Sequence, residues 1–320
     1  MLKPKPRIAI TMGDPAGVGP EVCLHLMARK DVREFCEPII YGDLAVLDAV
    51  AEKTGLPNVD LKGVRNFEAI RLNEFEPGTV NSFTGNAGYT YVREAIEAAL
   101  EGEIEGVATA PLNKEALHAA GIRFPGHTEI FAAKTGTDRF CMLQYSSIIS
   151  CSFVTTHCGY IEVPTLMTIE RIEEVIDLTR EAFLRIRKKE PKMVVLGLNP
   201  HSGEHGLFGC KEEEEKIIPA MEICREKGCD LEGPLPPDTA FLKWRLETTD
   251  CFICMYHDQG HIPVKALAFD MAVNTTLGLP FPRTSVDHGT ALDIAWQGKA
   301  NPSSLFEAVK LNAKLANREL

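Results

Sequence analysis

Short apolar runs alternate with helical patterns along this sequence, and each run is cut off by a residue that turns the chain or can do chemistry. RIAITM (7–12) runs into the turn GDPAGVGPE, PIIYG (38–42) ends in Gly, and GVATA (106–110) stops at Pro111. SIISCSFVTT (147–156), MVVLGLNP (193–200) and CFICMY (251–256) are each followed by a histidine. Between them lie helical patterns at 44–52, 87–100 and 168–188, the last acidic at its start and basic at its end, as the helix dipole favours. Strands and helices in alternation predict an α/β chain with parallel packing. In such sheets functional groups gather where strands end and loops begin.

The 320 residues suffice for one large domain or two, and the formal net charge of -11 narrows the partners. A chain this acidic is poorly suited to nucleic acid or a membrane surface. An anionic substrate must then be met by a few local cations or a metal. No run approaches the roughly 20 apolar residues of a membrane helix, and the N-terminus lacks the apolar core of a signal peptide. Ten Cys without regular spacing read as reduced thiols of a cytoplasmic protein. The CxxC of Cys251 and Cys254 lies inside CFICMY and reads as buried strand. KEEEEK (211–216) reads as a solvated helix face, 57–86 as irregular, and HGTALD (288–293) as a turn opening an apolar helix.

His157, His201 and His257 each stand directly after an apolar run. Neutral imidazoles suit Zn²⁺, Co²⁺ or a similar divalent ion, and three of them leave coordination positions open for a substrate. Asp258 and Asp238 are candidate acceptors that would fix an imidazole tautomer. In FPGHTE (124–129), His127 and Thr128 open a helix, where backbone donors and a hydroxyl favour an anion such as phosphate; Thr128 as a plain helix cap is the other reading. Lys265 and Arg283 are cations in apolar or Gly/Pro-rich surroundings, suited to proton transfer and to anion binding. The glycines of GDPAGVGPE either let backbone N–H groups approach a ligand or simply make a tight strand-to-helix turn. These residues leave a metal-dependent hydrolase and a small-molecule binding protein open beside an oxidoreductase.

Several blocks, in order from Ile8 to about Asn301, make the chain similar to a known family. GDPAGVGPE, FPGHTE, TTH, LNPHSGEHGLFG, YHDQGHIPVK and NTTLGLPFPRTSVDHGTALDIA resemble the 4-hydroxythreonine-4-phosphate dehydrogenases, within the isocitrate/isopropylmalate dehydrogenase-like group. The resemblance implies a two-domain α/β fold with parallel and mixed sheets and the active site in the cleft between domains. On that pattern 1–125 with 285–320 form the dinucleotide side, and 126–284 the metal, substrate and dimerisation domain. It further implies that His157, His201 and His257 hold a divalent metal (Zn²⁺, Mg²⁺ or Co²⁺), with His257 reaching the metal of a partner in a homodimer. His127, Thr128, Lys265, Asn274 and Arg283 become substrate contacts, with Lys265 and Asp238 the candidates for catalysis. His288, Gly289 and Asp293 become the NAD contacts, an acid at 293 favouring NAD over NADP. The implied reaction is oxidative decarboxylation of a small phosphorylated hydroxy acid. ATAPLNKEALHAAG and ALDIAWQGKA resemble the sister dehydrogenases of 4-phospho-D-threonate and 4-phospho-D-erythronate, and a further relative oxidises a dihydrodiol dicarboxylate.

Overall fold

The computed structural model describes residues 4–269 and 271–317; the outermost ends of the expected first domain, 1–3 and 318–320, lie outside them. Its strands in chain order are β1 (Arg7–Thr11), β2 (Glu37–Gly42), β3 (Val64–Asn66), β4 (Gly106–Thr109), β5 (Cys141–Tyr145), β6 (Cys151–Phe153), β7 (Lys192–Leu196), β8 (Asp230–Leu235), β9 (Cys251–Cys254), β10 (Val273–Leu277) and β11 (Arg283–Val286). The chain divides into two compact units: residues up to 138 together with 279–317, and residues 139–278. Among the described residues no helix is long and apolar enough to cross a membrane.

In the first unit β3-β2-β1-β4-β11 make a parallel sheet. Ile8, Ala9 and Ile10 of its central strand are wholly buried. Because all five strands run the same way, their C-terminal ends share one edge. The GDPAGVGPE turn, the loop through Pro111 and Asn113, and the HGTALD loop therefore meet there. The unit extends further than the sequence reading placed it, taking in 126–138 and 279–284. Helix His127–Thr135 drives Ile130 and Phe131 into this core, where Phe131 meets Phe281 edge to face at 6.2 Å.

The second unit orders its strands β10-β5-β6-β9-β7-β8, antiparallel at β10, β5 and β6 and parallel from β6 onward. Adjacent β6, β9 and β7 thus point their C-terminal ends at one edge, and those ends lead to His157, His257 and His201. Helix Ile169–Arg187 covers this sheet where the periodicity placed it. Thr168 caps it by accepting the Arg171 N–H at 3.1 Å, and Lys188 closes it in the left-handed region at φ 59°. Cys251 and Cys254 are both buried within β9, as their apolar surroundings predicted.

Three local expectations are corrected. The run 147–156 is not one strand, because the Ser146 hydroxyl collects the N–H groups of Ile148 and Ile149 at 3.2 and 3.0 Å and turns the chain before β6. HGTALD opens no helix: Ala291 and Trp296 sit at φ 41° and 60°, which a right-handed helix excludes, and only a short turn at Leu292–Ile294 forms. KEEEEK is not a solvated face, since Glu212 and Glu213 are buried.

Asp14, in the turn after β1, is 1% exposed and accepts the Ala16 N–H at 2.9 Å. Burial pushes its carboxyl up from 3.8 to about 6, only partly offset by the bonds from Ala16 and Thr84. The folded state then binds the proton more tightly than the unfolded chain, so this group's stabilising contribution is full below pH 3.8 and lost as pH rises through 6. Asp14→Asn is expected to be more stable than the parent by up to about 3 kcal/mol above pH 7, the advantage vanishing near pH 4. Urea melts across that range measure it; an advantage that does not change with pH would contradict the buried charge.

Candidate functional site

In the second unit, the ends of β6 and β9 bring the rings of His157 and His257 to 5.9 Å between centroids. A 510 Å³ pocket is lined by both, with Cys158, Tyr160, Glu162 and Asp258 among its walls. Nδ1 of His257 lies 2.7 Å from Oδ1 of Asp258, and the Tyr160 hydroxyl donates to Oδ2 at 2.5 Å. Asp258 thereby fixes the imidazole tautomer with Nε2 as the donor for a cation. The Tyr160 hydroxyl, and then His257, hold the Asp258 carboxyl below the usual carboxylate range, so it stays an acceptor. Behind them His261 stacks on His257 at 3.8 Å, with Phe153 stacked on it at 4.4 Å. Burial pushes the His261 imidazole down to about 4, with the charge of His257 adding to the effect, so it packs as a neutral ring.

His201 reaches the same sheet edge by a strained path. Residues 201–205 all adopt positive φ, a run that costs a non-glycine chain of order 1 kcal/mol per residue. Glu213, 1% exposed, pays for it by accepting the Leu198 and Asn199 N–H groups, each at 2.8 Å, while Glu212 and Glu213 share the Asn199 side-chain amide. The two glutamates hold the histidine loop from beneath, which is why they are buried. Gln259 ties this loop to the helix of His257, donating to the Gly197 carbonyl at 2.7 Å and accepting the Met255 N–H at 2.6 Å.

Not every expected partner joins. Among the described residues no three His, Cys, Asp or Glu side chains come together as a metal-ligand set, and His201 instead turns its ring edge-on to Phe208 at 6.0 Å. Asp238 is exposed in the turn after β8 and does not line the imidazole pocket. Lys265 is exposed rather than partly buried, two turns along the helix from His257. Asn274, on β10, has its Oδ1 buried without a partner while its amide faces the Met142 sulfur at 3.7 Å.

The first unit carries a separate cluster of basic side chains. Arg283, on β11, is 2% exposed, donates to the Thr109 hydroxyl at 2.8 Å and lies over the Phe131 ring at 5.4 Å. Burial pulls its guanidinium down to about 9, with Glu129 opposing. His127 stands in the same cluster. Burial, and then the charges of Arg283 and Lys114, hold its imidazole well below 6.5, and its Nε2 is shielded without a partner. Gly126 is the cap residue and no side chain caps the helix, so Thr128 is not the cap. Thr109 ends β4 and Lys114 opens the helix that follows; the sequence places Lys114 after this strand but assigns neither residue a role. At the same edge, His288 keeps Nδ1 3.0 Å from the Gly289 carbonyl, while Gly289 and Asp293 are exposed.

The model of the pyridoxal phosphate biosynthetic protein PdxA matches residues 34–312. The chain belongs to the PdxA family. Among PdxA relatives, the D-threonate 4-phosphate dehydrogenase of Cupriavidus necator is 41% identical over 98% of both chains. The 4-hydroxythreonine-4-phosphate dehydrogenase of Desulfosudis oleivorans is also 41% identical, over 97% of this chain and 96% of its own. The crystal structure of the 4-hydroxythreonine-4-phosphate dehydrogenase of Klebsiella pneumoniae superposes with a TM-score of 0.87 at 37% identity, covering 99% of this chain and all of that one. PdxA relatives with different substrate names thus stand at equal identity, and overall likeness does not choose between the substrates.

Proposed function

We propose that this chain is an NAD-dependent dehydrogenase that oxidises and decarboxylates a 4-phosphorylated four-carbon hydroxy acid with the help of a divalent cation. The observation that carries this reading is the Asp258–His257 couple, an imidazole whose tautomer is fixed as for a divalent ion, in the same pocket as His157. His157 and His201 of one chain with His257 of a second copy are the proposed ligands. A cation held there would supply Lewis acidity to the substrate hydroxyl, and NAD would supply the hydride acceptor. His127, Thr128 and Arg283 bind the anionic substrate, the buried guanidinium giving the charge and the neutral imidazole a directed hydrogen bond. Asn274 orients the substrate, and Lys265 accepts the hydroxyl proton once a second copy covers it. Exposed Tyr160, Ile161, Leu207 and Ile262 in the second unit supply an apolar surface for that copy. Asp238, exposed and outside the imidazole pocket, would act only if the second copy enclosed it.

The test is an NADH-forming assay with 4-hydroxythreonine 4-phosphate, 4-phospho-D-threonate and 4-phospho-D-erythronate side by side. Dihydroxyacetone phosphate from the sugar acids, or 3-amino-2-oxopropyl phosphate from the amino acid, is the expected product, with carbon dioxide. Absence of NADH from all three overturns the proposal, and equal turnover of the dephosphorylated compounds overturns the anion-binding role of His127, Thr128 and Arg283. For the cofactor loop, Asp293→Ser is expected to lower the NAD-over-NADP preference about 10-fold, the worth of one charged hydrogen bond to a ribose hydroxyl. Unchanged preference in kcat/KM removes Asp293 from the site.

A further inference from the structure

GDPAGVGPE has no part in the proposed chemistry, yet its packing is directed at one target. Helix Gly19–Ala28 starts inside it, and Glu21, at the third helical position, is wholly buried. A glutamate there commonly reaches back to the backbone N–H of the cap residue. Here the N–H of the cap residue Val18 is taken by the Thr290 carbonyl at 3.0 Å, which leaves Glu21 to reach elsewhere. Its Oε1 accepts the Ala300 N–H at 2.6 Å and its Oε2 the Gly298 N–H at 3.1 Å. The Trp296 indole N–H donates to the Pro15 carbonyl at 3.0 Å. Gly17 permits this approach, since a Cβ there would lie 2.8 Å from the Thr290 oxygen.

These contacts grip the 288–300 loop at Thr290, Trp296, Gly298 and Ala300. The loop needs holding, because Ala291, Trp296 and Gly298 all sit at positive φ. We propose that Glu21 is a positioning residue for the cofactor: its carboxyl clamps Gly298 and Ala300 so that the loop presents His288 and Asp293 in one shape to the nucleotide. This rests on the reading of that loop as the NAD contact. A buried carboxyl at a helix N-terminus, with two backbone donors, is a rigid anchor. A pre-shaped loop binds without the ordering cost that a loose one carries.

The test uses the full-length protein with Glu21→Gln and Glu21→Ala. Gln keeps the volume and one acceptor but sets an amide donor against the other N–H, so it carries the test where Ala does not fold. Expected for Glu21→Gln are faster hydrogen exchange at 296–301 without nucleotide and NAD⁺ binding at least tenfold weaker by calorimetry. Affinity for inorganic phosphate should stay within twofold, and KM for NAD should rise with kcat near the parent's. NAD⁺ affinity within twofold of the parent overturns the inference, and so does an equal loss of phosphate affinity, which would mark general loosening. Asp293→Ser separates the two readings. If it shifts the NAD-over-NADP preference while Glu21→Gln leaves NAD⁺ affinity alone, the clamp fails and the loop assignment stands. If it shifts nothing, the loop assignment falls and the clamp's role with it.

Discussion

A His257→Ala enzyme is expected to lose its metal and its turnover together. The ring is held on both sides, by Asp258 at Nδ1 and by the stacked His261 at 3.8 Å, so its Nε2 has one direction in which to act. On the proposed reading, removing it deletes the ligand that each copy lends to the other's His157 and His201. Turnover should fall by roughly three orders of magnitude, the reading of a Lewis-acid contribution of several kcal/mol. His157→Ala and His201→Ala should do the same, because each supplies one donor of the same set. Asp258→Ala is a graded control: the imidazole remains but its tautomer and angle are no longer set, and metal affinity should drop about 10- to 100-fold. Metal content by mass spectrometry, beside NADH formation, measures both quantities. Full activity in metal-free His201→Ala protein would end the metal reading.

What could be read from the residues divides along a physical line. Local rules carried the helix at 168–188, whose cap at Thr168 and left-handed end at Lys188 lie within the chain's own few residues. They also carried the three histidines, because parallel strands send their C-terminal ends to one edge whatever else the chain does. Burial of charge was not legible. Glu213 looks like one acid in a run of four until Leu198 and Asn199, 15 and 14 residues earlier, present their N–H groups to it. Glu21 depends on donors 277 and 279 residues away. Both would be costly alone and are accommodated only because distant backbone donors meet them. The positive φ of His201 and Ser202 was equally hidden, since neither residue type favours that region and only the surrounding bonds impose it. Arg283 and His127, far apart in the sequence, stand close enough for the guanidinium charge to act on the imidazole, with Phe131 packed beneath the guanidinium.

Arg283→Met is expected to raise stability while abolishing anion binding. The guanidinium is 2% exposed and pulled down to about 9 by burial, so the folded state disfavours the cation that the unfolded chain carries freely. For a cation with a lowered folded pKa, that penalty is fully present below pH 9 and is relieved only in stronger alkali. It therefore weighs on the protein throughout the neutral range. Replacement by an apolar side chain of similar length removes it, and the loss of the cation beside Glu129 sets against that gain. The Thr109 hydroxyl loses its donor, which subtracts part of that gain. An anion bound beside His127 would favour the charged guanidinium and offset the same penalty in the parent. Inorganic phosphate at about 100 times its dissociation constant should then add roughly 2.7 kcal/mol to the parent and nothing to the variant. Thermal melts of both proteins across a phosphate series should start with the variant higher and converge or cross as phosphate rises. kcat/KM for the phosphorylated substrate should fall by about 10²- to 10³-fold, the scale for losing a desolvated charge contact. A variant that is several degrees less stable at every phosphate concentration would make Arg283 a structural residue, packed against Phe131 and Thr109 for the fold's sake. A variant that keeps the phosphate response would move the anion site elsewhere.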